Sequence, residues 1–445
     1  MTDLIIRRTD VLQIAPDPVH PTAAILRDHD VLIRGNRIES VQPTGVDPSH
    51  FRRVIDGRGR LAMPGLINTH AHVPMVIFRG LAEDVNIDRW FNDFMWPLES
   101  NLQPDDVYWG MLLGALEMLL SGVTTVADHY FFMDRAAEAV ERAGSRALLG
   151  WAMFGSQGMG KIDETAAWAA ETQGAADGRI RTLIAPHAPY TCDDAFLRAS
   201  AAAAQRLGVG IHIHAAETPQ QTQSSLNQRG ITPIQVLAET GIFALPTIIA
   251  HALGALPSDI ALMARHAVGI AHAPKTYMKL AMSHAPVLAF RAAGIPVGLA
   301  TDGAVSNNTL DIWESLRLMP MVQKAVTGVA ENMTIPEALY VATRESARVI
   351  GMGDQLGSLE AGYLADLILL DMSGLHHQPL HSTTASLVYN TRASDVHTVI
   401  CNGRVLVENG ALLHIDPAAV IAQVRTNMER LAQRIPNQRI QVYNP

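Results

Sequence analysis

The chain opens on short runs of aliphatic and β-branched residues separated by turn-forming pairs. Leu4-Ile5-Ile6, Val11-Leu12-Gln13-Ile14, Val31-Leu32-Ile33 and Arg37-Ile38-Glu39-Ser40-Val41 read as strands. Gly35-Asn36 reads as a hairpin turn between the last two. The same pattern returns late in the chain, at Leu367-Ile368-Leu369-Leu370, Val396–Ile400 and Val405-Leu406-Val407, with Asn402-Gly403 as a second turn. The two ends predict one small β-sandwich assembled from distant segments.

The middle has a different rhythm. Apolar runs of four or five residues alternate with longer, Ala-rich stretches of helical period. Strands are expected at Val123–Ala127, Arg146–Gly150, Thr182–Ala185, Gly210–His214, Thr247–Ala250, Val268–Ala271 and Val297–Ala300. Helices are expected at Val107–Leu120, Arg135–Ala143, Asp193–Leu207 and Ile260–Arg265, and an amphipathic one at Ala418–Arg434. This alternation predicts parallel β/α units. The fold class is α/β, a (β/α)8 barrel over residues 62–360, with the sandwich made by 1–61 and 361–445. Barrel chemistry sits at the C-terminal ends of the strands.

Composition narrows the field. Of 445 residues, 48% are hydrophobic and 17% charged, enough for a large core and too apolar for a disordered chain. The net charge of −9 argues against nucleic acid or an anionic membrane as partner, since both select a basic face. No apolar run reaches the roughly 18 residues of a membrane span, and Met1–Arg8 lacks the order of a signal peptide. Two distant cysteines, Cys192 and Cys401, form no disulfide framework, so a reducing cytoplasm is expected.

Histidines and carboxylates collect at the expected strand ends. His70 and His72 follow Leu66–Thr69, and on an extended segment positions i and i+2 face the same way, so both can address one ion. His214 ends another strand with Glu217 three residues on; His251 ends the next, and Asp302 follows Val297–Thr301. Any one of these residues alone would read as structural. Together they fit a metal site at one barrel face, suited to zinc, with iron or manganese open.

At these residues the chain resembles the amidohydrolase superfamily, in particular its methylthioadenosine, S-adenosylhomocysteine and adenosine deaminases. The likeness rests on Pro64–His72, Arg79–Asp84, Trp96-Pro97-Leu98-Glu99, Ser121–Thr125, Pro186–Tyr190, His214–Thr218, Thr301–Asn308 and Gly362–Leu367. Related triazine hydrolases share several of these motifs. The resemblance implies one divalent ion per subunit, usually zinc, held by His70, His72, His214 and Asp302. Arg181–His187 contains no lysine that could be carbamylated to bridge two ions. It further implies Glu217 as proton shuttle touching the substrate ring, His251 as hydrogen-bond partner of the attacking oxygen, and Asp302 as carrier of a second proton. Glu99 would bind ribose hydroxyls and His187 the purine edge or the ribose side. Relatives are often homo-oligomers.

Two departures bear on the substrate. Arginines that can clamp an amino-acid carboxylate in this branch are replaced by Trp151 and Lys161, and lysine lacks the bidentate fork. Adenosine or 5′-methylthioadenosine is therefore expected over S-adenosylhomocysteine. Thr276-Tyr277 replaces a Ser-Asn pair near the active face, which either reshapes the pocket toward a pterin, purine base or s-triazine or packs in the wall. A non-catalytic subunit is the remaining alternative. Such relatives usually lose metal ligands, and all are present here.

Overall fold

The computed structural model describes residues 3–433 and 439–444. The barrel strands run Leu66–His72, Val123–Tyr130, Arg146–Met153, Ile180–Pro186, Ile211–Ala215, Thr247–His251, Val268–His272 and Val297–Leu299, each parallel to the next. The eighth strand is interrupted. Val297–Leu299 pairs with the seventh strand, and Asp302–Gly303 pairs with the first. Side chains sew the seam at the interruption: Asn68 Nδ2 donates to Thr301 Oγ1 (2.7 Å), Thr301 N to Asn68 Oδ1 (3.1 Å), and Thr69 Oγ1 to the Leu299 carbonyl (2.9 Å). Gly298 permits this closure, because a Cβ there would meet Thr69 Cγ2 at 2.5 Å.

The helices between strands start where the chemistry allows, a little before or after the expected positions. Pro104–Leu120 begins three residues before Val107, with proline in the first turn and Asp106 accepting the Gln103 N–H (2.8 Å). Asp193 is the N-cap of Asp194–Leu207 and accepts the Phe196 N–H (2.8 Å). Pro257–Met263 lies earlier than Ile260–Arg265, again opened by proline. The late amphipathic stretch is two helices, Pro417–Thr426 and Met428–Leu431, divided at Asn427; Arg434 lies outside the described residues.

The ends of the chain build one nine-stranded sheet, in which Arg60–Pro64 joins the early strands to Leu367–Asp371. The two expected runs at Leu4 and Val11 are one strand, Asp3–Ile14, bulged near Arg8 (φ 59°). Buried Asp30 pins that bulge, accepting the N–H groups of Arg8, Gly45 and Val46 at 3.0–3.1 Å. The sheet folds over until its distant hairpins touch. Asn36 Nδ2 donates to Asn402 Oδ1 (3.2 Å), and a Cβ on Gly403 would strike the Gly35 carbonyl at 2.2 Å. Leu4, Val31, Ile38, Leu367 and Val405 share the core enclosed this way.

Barrel and sheet are joined by a buried ion pair. Arg146 Nε and Nη2 fork onto Asp366 (2.8 and 3.1 Å), Nη2 also reaches Asn402 Oδ1 (3.1 Å), and the Asn402 N–H donates to Asp366 (2.7 Å). Both side chains are at most 2% exposed. Removing one partner leaves a buried charge alone, so Asp366→Ala is expected to cost about 3–5 kcal/mol. The midpoint of urea unfolding checks this; a shift worth less than about 1 kcal/mol would place the strength of the junction elsewhere.

Candidate active site

Strand alternation delivers the site. His70 and His72 leave the first strand on one face, and His212 and His214 leave the fifth in the same way. Each of His70, His72 and His214 spends its Nδ1 on a second-layer contact. His72 Nδ1 meets the His129 carbonyl (2.5 Å), His214 Nδ1 the His187 carbonyl (2.9 Å), and His70 Nδ1 the ring of His212 (2.9 Å). A carbonyl only accepts, so His72 and His214 carry protons on Nδ1, and when both rings are neutral their Nε2 lone pairs face each other at 3.3 Å. His70 Nε2 is buried with no hydrogen-bond partner among the described residues. Asp302 Oδ1 lies 3.5 Å from His70 Nε2 and 3.3 Å from His72 Nε2.

Three donor–donor spacings among these four residues, 3.3–3.5 Å, are close to the edge of about 3.4 Å that a tetrahedron with bonds of about 2.1 Å to a central ion would have. Charge points the same way. Burial pushes His70 down to about 4 against the pull of Asp302. Burial also opposes a proton on His72, but Asp302 and the His129 carbonyl prevail and push it up to about 9. Burial would raise Asp302, yet His70 and His72 hold it well below the usual carboxylate range. The pocket therefore asks for a positive charge at the point where the lone pairs meet. Three imidazoles and one carboxylate could hold zinc there, with the barrel seam fixing Asp302 (φ 63°) and Ser306 Oγ donating to its other oxygen (2.9 Å).

Glu217 stands beside this cluster. The turn at Ala216 (φ 49°) brings it back over the strand end, and Gln221 Oε1 accepts its N–H (2.9 Å). Its Oε1 is buried and unpartnered among the described residues, and burial pushes the carboxyl up to about 7. His251 (φ 81°) stacks on His214 at 5.5 Å with Nδ1 unpartnered, and burial pushes it down to about 3, so it is neutral. His187 is likewise held neutral, pushed by burial to about 3; its Nδ1 contacts Thr191 Oγ1 (3.0 Å) and its ring stacks on Phe154 (4.7 Å). Glu99, from the short helix Trp96–Glu99, accepts the Tyr130 hydroxyl (2.8 Å). Burial pushes it up to about 7 despite that bond. All four line one cavity with His72, His214 and Asp302.

Trp151 and Lys161 do not join them. Ala152 lines the cavity, so its strand neighbour Trp151 points to the opposite side of the sheet. There it meets Trp168 edge-on (5.4 Å), and Lys161 lies over its ring (4.4 Å) while pairing with Glu164 (2.7 Å). The substrate contact expected for this pair is corrected by that alternation. Thr276 lines the cavity, whereas Tyr277 packs in the wall with its hydroxyl accepting the Ala273 N–H (2.9 Å). His129 and His212 are part of the cluster without having been assigned a role; the i, i+2 spacing of His212 and His214 was the available signal. His377 is buried, held between Ser386 (2.7 Å) and Asp395 (3.1 Å).

No helix among the described residues is long and apolar enough to cross a membrane. A model of the amidohydrolase family matches residues 61–406. The chain is 42% identical over 439 residues to a 5-methylthioadenosine/S-adenosylhomocysteine deaminase of Pelotomaculum thermopropionicum, covering 98% of this chain and 100% of that one. It is 38% identical to a 5'-deoxyadenosine deaminase of Methanobrevibacter smithii, covering 91% and 94%. Its backbone is similar to the crystal structure of an adenosine deaminase from Xanthomonas campestris with bound zinc, with a TM-score of 0.89, 32% identity and coverage of 97% and 98%. With the barrel, the strand-end histidines and these likenesses together, the chain belongs to the amidohydrolase family.

Proposed function

We propose that the protein hydrolytically deaminates an aminopurine nucleoside, adenosine or 5′-methylthioadenosine in preference to S-adenosylhomocysteine, to the 6-oxo product and ammonia. The observation that carries this reading is a buried Glu217 whose Oε1 has no hydrogen-bond partner among the described residues, set beside converging imidazoles. His70, His72, His214 and Asp302 would hold one divalent ion, zinc in this reading. When bound, such an ion lowers the pKa of water from about 15.7 toward about 7 and so supplies a nucleophile at neutral pH.

The side chains then divide the work. Glu217 takes a proton from the attacking water and gives it to the ring nitrogen beside the amine-bearing carbon. The oxygen bonds to that carbon while His251 hydrogen-bonds it. Asp302 carries the second proton to the amine, the carbon–nitrogen bond breaks, and ammonia leaves. Glu99 and Tyr130 face the ribose hydroxyls, and neutral His187 contacts the purine edge. Among the described residues the cavity lining holds no lysine or arginine, but it does hold Met75, Ile87, Leu280 and Met282. An apolar or small 5′ group suits that lining better than a zwitterionic tail.

Four outcomes follow. Purified protein should hold about one divalent ion per chain by elemental analysis, lost in His70→Ala and released more readily on acidification, since protons compete for the same lone pairs. Glu217→Gln should keep the ion but lower kcat on adenosine by about 10²–10⁴. In the parent protein kcat/KM should fall about tenfold per pH unit below an apparent pKa of about 7 or less, because Glu217 must be ionised to accept a proton. Glu99→Gln should raise KM for adenosine about tenfold while leaving turnover of the free base nearly unchanged. Ammonia release and loss of the adenosine absorbance band read the three kinetic outcomes; no turnover of any adenine nucleoside would overturn the reading.

A further inference from the structure

The reaction cavity is small for a nucleoside. Its volume is about 50 Å³, whereas pockets for small molecules hold about 300 Å³ or more. A nucleoside cannot occupy it until part of its wall moves. On the far side of that wall lies a second cavity of about 450 Å³ near the ends of the third, fourth and fifth barrel strands.

Tyr443 touches lining residues of both. Its ring stacks on Phe91 (5.0 Å, 13°) and lies 6.4 Å from Trp96, both lining the reaction cavity. On its other side it meets Tyr190 edge-on (5.5 Å), which lines the second cavity, as do Gln221 and Asn444. The segment 439–444 packs beside both cavities. Ile440 N donates to the Trp96 carbonyl (3.3 Å). Asn92 clamps the Tyr443 backbone from both sides, accepting its N–H (2.9 Å) and donating to its carbonyl (3.2 Å). Asn92 itself sits in a π-helical turn, Trp90–Met95, a geometry often found at functional sites. Gln221 Nε2 donates to the Tyr443 hydroxyl (3.1 Å) while its Oε1 holds the Glu217 N–H. The same amide thus touches both the wall and the proton carrier.

We propose that Tyr443 is a specificity residue, a movable partition between the two cavities. Swung aside, it admits the nucleoside and lets a neutral 5′ substituent run into the second cavity; in place, it seals the reacting end from water. The proposal rests on the nucleoside reading above. The second cavity suits a neutral group because it offers Ser156, Thr191, Gln221 and Gln228, while its charged residues are engaged elsewhere, Arg229 with Asp194 and Asp193 with the Phe196 N–H.

The test uses the full chain reconstituted with zinc, as parent, Tyr443→Phe and Tyr443→Ala, with melting temperatures confirming that each is folded. The first arm compares kcat/KM for adenosine with that for 5′-alkylthioadenosines of increasing chain length. Tyr443→Ala should raise the long-to-short ratio at least about tenfold, and Tyr443→Phe should leave it within about threefold, since the ring and not the hydroxyl makes the partition. The second arm, needing no substrate, times removal of zinc by a chelator, which should be faster in Tyr443→Ala and unchanged in Tyr443→Phe. A folded Tyr443→Ala with the parental ratio and the parental chelation rate would overturn the partition. Failure of every nucleoside as substrate, with chelation still accelerated, would overturn the nucleoside reading and leave the partition standing.

Discussion

Two imidazole lone pairs facing each other across 3.3 Å are the constraint around which this protein is organised. The carbonyls of His129 and His187 take the Nδ1 protons of His72 and His214, so neither ring can relieve the contact by changing tautomer. Burial excludes water that might otherwise do so. Only a proton or a metal cation between the rings makes the arrangement favourable, and Asp302 supplies the countercharge. The same low dielectric that makes the bare cluster costly makes each interaction with an ion strong.

The scaffold is arranged to keep that geometry. Strand alternation aims His70 with His72 and His212 with His214, and the interrupted eighth strand brings Asp302 against the first strand through Asn68, Thr69 and Thr301. Several residues around the cluster hold backbone conformations that non-glycine residues avoid: Ala216, His251 and Asp302 all have positive φ. The stability to maintain them comes from the barrel core and from the ion pair that ties the barrel to the terminal sheet.

Much of this was legible in the sequence because it is local. A His-x-His pair on a strand, a glutamate three residues past a histidine and an aspartate after an apolar run are short-range patterns that survive folding unchanged. Both hairpin turns, Gly35-Asn36 and Asn402-Gly403, were legible for the same reason. What the sequence hid depends on long-range register. Trp151 and Ala152 are neighbours, and only the sheet decides which of them faces the cavity. Tyr443 reaches the mouth from far along the chain, and no local pattern marks it. The role of His129 is carried partly by its backbone carbonyl, which side-chain chemistry does not reveal.

The claim that most needs testing is the donor set itself. X-ray absorption fine structure on the zinc-loaded protein reports both the identity and the distance of the atoms around the ion. Nitrogen and oxygen donors are expected at about 2.0–2.1 Å, with the outer-shell scattering of several imidazoles and no sulfur. An ion surrounded only by water oxygens, or a sulfur donor at about 2.3 Å, would contradict it.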